Sequence, residues 1–503
     1  MTDNNVRGAY IFEMLEGCAM NGDTYVLEED LFRICSRKYK GITREMFQLD
    51  LVSQQQQGKI HRNGNDCYLI KNWEHECYAI KKLEEILSAE KEEKHFLIIS
   101  PDAMEENLCQ EQIEAVNMAM SNRISLIAGG AGSGKTTLIK SIVNSCSGQY
   151  ELVLCAPTGK AARNLTEKTG ATARTIHSAL GIKPKEDLLS AVLWDSVNIV
   201  IVDEASMVTL EMFSGLLSRV NNTCHIVFIG DSNQLKAVGA GNTFDDLLQL
   251  NIPRIFLTSN HRQLVTAKAL IHNVTNFPDI KTIDNLAFDE SFMLFHMDEE
   301  DAYNYIVRET SESYIFSRNA QVLTPFKNKS ILSAESLNLG IREIKNPQVN
   351  GKGEIIIEGK VFRDGDKVMI SKNDTRRHCC NGDIGILKID TDNKCYMINL
   401  NNGRMPRWTF YNKPPSLELA YAITIHKSQG SEYDYILMPI LDGFSCMLTR
   451  NLLYTAVSRA RKGILLCGNR EALSMAINKY PQARRSGLIQ KMVKHSVISG
   501  HVA

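Results

Sequence analysis

The sequence predicts an α/β protein: two parallel sheets flanked by helices, with a small inserted β-barrel in the second and a helix-and-hairpin module ahead of the first. Three observations carry this reading. From Leu108 onward, short β-rich apolar runs alternate with helix-period segments, the pattern of parallel strands joined by crossover helices. A glycine-rich GGAGSGKTT stretch, Gly129–Thr137, joins one such run to one such helix. A second, sparser set of apolar runs, QVLTPF, YDYILMPI and GILLCG, follows in the C-terminal half.

Taken in order, residues 1–96 read as a winged-helix-like module. TYVLEEDLFRIC and ITREMFQLDLVSQQQQ have helical apolar spacing. GKIHRNGNDCYLI reads as a hairpin, with Asn63–Gly64 supplying residues that tolerate positive φ. Glu74–Lys94 is a charged amphipathic helix whose buried stripe is Tyr78, Leu83, Ile86 and Leu87. Packing against the rest of the chain is the expectation for this module, with contact to DNA or a partner as the alternative.

Residues 97–265 form the first sheet domain. Its runs SLIAG, LVLCAP, NIVIVDE and HIVFIG each end in a turn or a polar cluster, so active groups are expected at the strand carboxyl ends. A short, partly helical insertion occupies about 180–197. The second sheet domain takes 266–365 and 416–480. Between its halves, at 366–415, FRDGDKVMI, NGDIGILKID and KCYMINL alternate with Gly/Asp/Asn turns and predict the antiparallel barrel. Residues 481–503 are a basic C-terminal tail, with Arg484, Arg485, Lys491 and Lys494 read as a solvated stretch and binding to a partner or to backbone phosphates as the alternative.

Composition narrows the class. Of 503 residues, 44% are hydrophobic and 23% charged, an ordinary globular balance. No apolar run approaches the roughly 18 residues needed to span a bilayer, and MTDNNVRGAY lacks the basic and apolar regions of a signal peptide. The 13 cysteines are scattered, without C-x-x-C or zinc spacing. A reducing, cytoplasmic location with no membrane partner is expected. A net charge of −1 argues against nonspecific coating of nucleic acid and is silent on a local phosphate grip.

The chemistry centres on a nucleotide. Gly130, Ala131, Gly132, Ser133, Gly134, Lys135, Thr136 and Thr137 form a P-loop whose backbone N–H groups close around phosphates at a helix N-terminus. Lys135 is placed to neutralise the β- and γ-phosphates, and the Thr136 hydroxyl to hold Mg²⁺. Asp203 ends the run NIVIV, where it reaches the Mg²⁺ shell, and Glu204 beside it is placed to orient and deprotonate a water. That pairing suits ATP hydrolysis better than a small-molecule kinase. Gln234 in GDSNQL is a candidate γ-phosphate sensor. Arg262 in NHRQ and Arg459 in VSRAR are candidate arginine fingers, and Gln112 is a candidate reader of the adenine edge.

In this order, APTGKAARNL, ARTIHSAL, IVDEASM, GDSNQLKAVGAG, GDKVMI, NGDIG, AYAITIHKSQGSE and LLYTAVSRA resemble the motifs of superfamily 1 DNA helicases of the RecD type, over roughly residues 105 to 470. The resemblance implies two RecA-like P-loop domains with ATP and Mg²⁺ in the cleft between them. It also implies single-stranded DNA across their top and movement in the 5′-to-3′ direction. By position, Thr158, Lys160 and Arg163 would touch strand phosphates, with Thr175 and His177 near them. Thr324, Thr424, His426 and Lys427 would hold the strand on the second domain, and Gly430 and Glu432 would meet the nucleotide from the far side. Hydroxyls, amides and cations hold phosphates without reading bases, which suits a motor that steps along any sequence.

Two departures from the family stand out. The region where relatives insert a strand-separating β-hairpin is short here, and the long helix-hairpin-helix portion of larger relatives is missing. The expected function is an ATP-dependent DNA helicase or translocase acting on single-stranded DNA and single-strand/duplex junctions. The alternative is a motor subunit that drives a nuclease or other protein partner. An ATP-gated binding protein is disfavoured by the complete catalytic set. A nuclease or relaxase is disfavoured because no paired-histidine metal motif is present.

Overall fold

The computed structural model describes residues 8–92, 97, 108–146, 148–181, 189, 193–261, 267–313, 320–412 and 415–492. The N-terminal module packs helices α1 (Ala9–Met20), α2 (Glu28–Lys38) and α3 (Arg44–Gln56) on a three-stranded antiparallel sheet. Its strands are β1 (Tyr25–Leu27), β2 (Ile60–Asn63) and β3 (Asp66–Leu69), with β3 in the middle. Ile11, Leu15, Leu31, Phe47 and Leu51, at helical spacing, close its core. The hairpin turn is one residue off the expected one. Asn63 pairs with Asp66, so Gly64 and Asn65 are the central residues and Gly64 takes φ +62°. A glycine-first two-residue turn needs positive φ at that position, which Gly adopts without strain.

Helix α4 (Ile70–Glu92) leaves the module and buries Ala79, Ile80, Leu83 and Ile86 beside Phe213, Leu216 and Leu217 of the next domain. Each fully buried Leu or Ile contributes about 1.5–3 kcal/mol, so the module is held by its own last helix.

The first large domain runs α5 (Gln110–Ser121), β4 (Ile124–Gly129), α6 (Lys135–Cys146), β5 (Glu151–Ala156), α7 (Gly159–Thr169), β6 (Ala173–Thr175), α8 (Ile176–Leu180), β7 (Val197–Val202), α9 (Leu210–Arg219), β8 (His225–Gly230), α10 (Thr243–Gln249) and β9 (Arg254–Leu257). Its six strands are all parallel, in the order β6-β5-β7-β8-β4-β9. VNIVIV and HIVFIG are almost wholly buried, as central strands covered on both faces require. Of the insertion expected at about 180–197, residues 182–188 and 190–192 lie outside the described residues.

The second large domain opens with α11 (Lys268–Thr275), β10 (Phe292–His296), α12 (Glu299–Glu312), β11 (Ala320–Thr324) and α13 (Ala334–Lys345). A hairpin, β12 (Glu354–Ile357) and β13 (Lys360–Arg363), then leads into an antiparallel insertion. Its strands β14 (Lys367–Ile370), β15 (Ile384–Asp390), β16 (Cys395–Leu400), β17 (Arg407–Thr409) and β18 (Leu417–Leu419) lie in the order β17-β16-β15-β14-β18. Phe362, Val368, Leu387, Ile398, Trp408 and Leu417 fill its core. The chain re-enters the parallel sheet at β19 (Ala422–Thr424) and continues through β20 (Tyr433–Ile440), α14 (Arg450–Ser458), β21 (Ala460–Gly468) and α15 (Arg470–Asn478). That sheet is parallel throughout, in the order β10-β21-β20-β11-β19.

The basic C-terminal stretch corrects an expectation. Residues 481–492 are not a solvated tail. Arg484 donates to the carbonyls of Ala237 (2.6 Å) and Gly241 (2.9 Å), and Arg485 pairs with Asp30 (2.6 Å). Lys491 pairs with the buried Glu76 (2.6 Å) and lies 3.7 Å over the Trp73 ring. Acceptors left open on the N-terminal module and the first domain take up these cations. Lys494 lies outside the described residues. Among the described residues, no helix is long and apolar enough to cross a membrane.

Candidate nucleotide cleft and nucleic-acid groove

The P-loop connects β4 to α6, and Gly132 and Gly134 take the left-handed φ values +86° and +80° that its tight curl needs. The Lys135 ammonium donates to the carbonyls of Gly129 (2.6 Å) and Gly130 (2.8 Å), inside the curl. A cavity of about 550 Å³ opens here between the two large domains. Ala131 to Thr137, Asp203, Glu204 and Gln234 line one wall, and Gly430, Glu432, Ser458, Arg459 and Arg461 line the other.

Asp203 follows directly on β7, and its carboxylate accepts from the Glu204 N–H (2.8 Å). Glu204 holds a left-handed φ of +52°, strain of the kind that concentrates at functional sites. Burial, then the neighbouring Glu204, push the Asp203 carboxyl up to about 6, with Lys135 pulling the other way. Two adjacent carboxylates short of positive charge, with the Thr136 hydroxyl on the same cavity, fit a hard divalent cation such as Mg²⁺.

Arg459, almost fully buried, donates to Gln234 Oε1 (2.5 Å) and to the Ser431 carbonyl (3.3 Å). Glu432 faces Arg461 (3.3 Å) and Lys168 (3.8 Å), and the Gly430 carbonyl accepts from Asn164 Nδ2 (2.6 Å) across the cleft. Gln112 sits behind the loop instead of on the cavity wall. Its amide accepts from Cys109 N–H (3.0 Å) and donates to the Gly134 carbonyl (3.4 Å), bracing the P-loop. Arg262 lies outside the described residues.

A larger groove, about 980 Å³, runs over the adjoining face. Thr158, Lys160, Thr175 and His177 line it from the first domain, and His426 and Lys427 from the second. Asn373, Asn381 and Gly382 from the connection between β14 and β15, Lys71, Glu74 and His75 of α4, and Thr209, Glu211, Ala237 and Val238 of the first domain also line it. Thr158 and Thr175 are also helix N-caps, accepting from the N–H groups of Ala161 (3.2 Å) and Ser178 (3.1 Å). Burial pushes the Lys160 ammonium down to about 8, partly offset by Asp383, and it lowers His426 as well.

Three expected phosphate contacts, Arg163, Thr324 and Thr424, lie off this groove's lining, and a fourth, Lys427, lines it in an ion pair. Arg163 is ion-paired with Asp383 and donates to the His378 carbonyl (3.4 Å). Lys427 is ion-paired with Glu418. Thr324 is fully buried, its hydroxyl donating to the Leu332 carbonyl (2.7 Å), so it does not reach the groove. Thr424 lines an adjacent, mainly apolar cavity of about 440 Å³ beside α13. The reading from sequence also missed Asn164, Lys168, His261 and Arg461 in the cleft. The i, i+4 step from Asn164 to Lys168 along α7, and Arg461 two residues past Arg459, were the signals available.

Comparison with known proteins fits this geometry. Residues 107–286 match the AAA domain family, 337–399 the ATP-dependent RecD-like DNA helicase SH3 domain, and 419–467 the UvrD-like helicase C-terminal domain. Together these segments take up more than half of the chain, in chain order. The chain is similar to the RecD-like helicases. It is 30% identical over 411 residues to the ATP-dependent RecD2 DNA helicase of Deinococcus radiodurans, covering 78% of this chain and 54% of that protein. It is 28% identical to the RecBCD enzyme subunit RecD of Mycolicibacterium smegmatis, covering 76% of this chain and 75% of that one. A crystal structure of Pif1 helicase from Candida albicans aligns over 79% of this chain and 100% of its own, at 20% identity and a TM-score of 0.47. This RecD-like chain spans about half the length of the Deinococcus relative. Its SH3 match takes in α13, the β12–β13 hairpin and most of the inserted sheet.

Proposed function

We propose that the chain is an ATP-dependent DNA helicase and translocase that moves 5′ to 3′ on single-stranded DNA and acts at single-strand/duplex junctions. One observation carries this reading: in each large domain a single continuous segment spans from groove to cleft. In the first, Thr158 to Lys160 line the groove, and Ala161, Asn164 and Lys168 of the same helix α7 line the cleft. In the second, His426, Lys427 and Gln429 line the groove, while Gly430 and Glu432 line the cleft. Closing or opening the cleft therefore moves both groove walls, which is how hydrolysis couples to a step along a strand.

In the cleft, Lys135 and Arg459 hold the charge that develops on the transferring phosphoryl group, Glu204 takes the proton of the attacking water, and Gln234 faces the γ-phosphate. Arginine fingers of this kind accelerate hydrolysis by about 10³–10⁵ elsewhere. Thr136 and Asp203 would hold Mg²⁺, which when bound supplies Lewis-acid charge to the phosphates. A cytoplasmic setting fits the cysteines, all 13 of them free thiols.

The test is strand separation on duplexes with a 5′ or a 3′ single-stranded tail, with ATP hydrolysis followed in the same samples and Lys135→Ala as control. Hydrolysis stimulated by single strands and unwinding of the 5′-tailed duplex alone are expected. Unwinding of the 3′-tailed duplex would overturn the polarity, and hydrolysis indifferent to DNA would overturn the function. Coverage of three quarters of a RecBCD subunit favours a second reading, a motor subunit working with a nuclease partner. Stimulated hydrolysis without unwinding of either duplex supports it.

A further inference from the structure

Across the cleft from the P-loop, α14 turns one face toward the segment that follows β8. Asn451 Nδ2 donates to the Gln234 carbonyl (3.1 Å), the Thr455 hydroxyl accepts from the Leu235 N–H (2.9 Å), and Arg459 reaches the Gln234 side chain. These residues are four apart, so they share a helix face. Tyr454 reaches farthest. Its hydroxyl accepts from the Ala131 N–H (3.3 Å) and donates to Asp231 Oδ2 (2.9 Å). The same oxygen of Asp231 accepts from Gln234 Nε2 (3.1 Å). One hydroxyl of the second domain thus touches both the P-loop and the carboxylate that holds Gln234.

We propose that Tyr454 is a positioning residue that sets Gln234 and Arg459 for hydrolysis, through Asp231, and ties their placement to the P-loop through Ala131. The inference rests on the ATPase reading above. Its logic is a donor–acceptor count. A carboxylate only accepts and a guanidinium only donates. Gln234, held between Asp231 and Arg459, must turn its nitrogen to the first and its oxygen to the second. One amide hydrogen is left for the cavity that Gln234 lines. Tyr454 and Asp231 are 1% exposed, Gln234 4% and Arg459 5%. With the hydroxyl gone, Asp231 Oδ2 loses a buried donor, and the carboxylate, still held at Oδ1 by the Asn233 N–H (3.1 Å), turns away from the position in which it holds the Gln234 nitrogen, so Gln234 and Arg459 shift together. Glycine at 130 is part of the arrangement, because a Cβ there would stand 3.0 Å from the Tyr454 hydroxyl.

Tyr454→Phe removes the hydroxyl and keeps the ring packed on Phe277, whose centroid is 5.0 Å away. With saturating single-stranded DNA, kcat for ATP should fall about tenfold or more while KM stays within about twofold, the signature of a lost transition-state interaction. Asp231→Asn, which leaves Tyr454 untouched, should give the same split. In a Gln234→Ala background Tyr454→Phe should cost almost nothing further, since the two act as one unit. Wild-type kcat in Tyr454→Phe, a rise in KM alone, or additive losses would each overturn the inference. A wild-type chain without DNA-stimulated hydrolysis would sink the ATPase reading and this inference with it, whereas wild-type turnover in Tyr454→Phe sinks the inference alone.

Discussion

In the cleft, Asp203 and Glu204 stand side by side, with Lys135 as a nearby cation and burial raising the Asp203 carboxyl. Lys427 on the groove wall is bound to Glu418, and Arg163, one turn of α7 beyond the groove-lining Lys160, is bound to Asp383; both carboxylates come from the inserted β-sheet region. The cleft is built around charge that a ligand has to complete. At the groove, carboxylates already pair with cations that are proposed to meet strand phosphates. The cation that accompanies a nucleotide would therefore supply the charge the cleft lacks, whereas DNA has to displace an internal substitute. Displacing a paired carboxylate releases fewer bulk counterions than neutralising a free cation, so it weakens the salt-dependent part of DNA affinity.

The hardest way to break the comparison is to remove charge from the cleft. Asp203→Asn should lower DNA-stimulated hydrolysis about 10³-fold, in the range for loss of a group organising phosphoryl transfer. It should also stabilise the ligand-free fold. The sign follows from the raised carboxyl. The folded state holds a proton between the ordinary aspartate range and about 6 that the unfolded chain has lost, so wild-type stability declines as pH rises through that window. The variant lacks this decline. At pH 7 its Tm should lie a few degrees above wild type, and the two should converge toward pH 4. Thermal melts across pH, beside steady-state hydrolysis, check both halves. A variant less stable than wild type at pH 7 would mean the cleft carries no such charge deficit.

In the groove, Lys160 differs from its neighbours, since burial holds its ammonium down to about 8 with only partial relief from Asp383. A bound phosphate favours the charged form. Affinity for single-stranded DNA should therefore fall several-fold as pH rises from 7 to 9, and Lys160→Met should bind weakly with that pH dependence removed. Asp383→Asn tests the internal substitute. Asparagine keeps an oxygen for the Cys380 N–H (2.8 Å) while releasing Arg163. Affinity should rise about threefold to tenfold, and the slope of log K against log salt should steepen by about 0.7, one added phosphate contact on a single strand. Anisotropy titrations between low and moderate salt read both. An unchanged slope would show that Arg163 is structural and the carboxylate no substitute for DNA.

The same contrast explains what the sequence made legible. The parallel sheets were readable because VNIVIV and HIVFIG, covered on both faces, have to be apolar throughout. The cleft residues lie in contiguous motifs at strand ends, where a few adjacent positions specify position and chemistry together. The groove is different, because its cations are visible in the motifs but their partners are not. Asp383 lies 220 residues from Arg163, and nothing near Arg163 announces it. Thr324 shows the related limit: it ends a strand as expected, yet its hydroxyl turns inward to the Leu332 carbonyl, a contact set by the following turn. Gln112 was read as facing the base, but local hydrogen bonds to Cys109 and Gly134 hold it behind the loop. Charge clustering made 481–492 look solvated, although Asp30 and Glu76, distant in sequence, were waiting for those cations.

The smallest expected effect separates both surfaces from the scaffold that carries them. Lys491 neutralises Glu76, whose side chain is fully buried and otherwise accepts from the Gly487 N–H (2.8 Å). Lys491→Met keeps much of the aliphatic bulk over Trp73 but leaves a buried carboxylate without its cation. Breaking a buried pair from one side costs about 3–5 kcal/mol. The variant should unfold or loosen around α4 at lower temperature. Hydrolysis and DNA binding should stay within about twofold at 20 °C, because neither cleft nor groove loses a lining residue. Hydrogen exchange over residues 70–92 and 484–492 locates the loosening. If instead DNA affinity falls while exchange is unchanged, the C-terminal segment acts on the groove directly, through the contacts of Arg484 with Ala237 and Gly241.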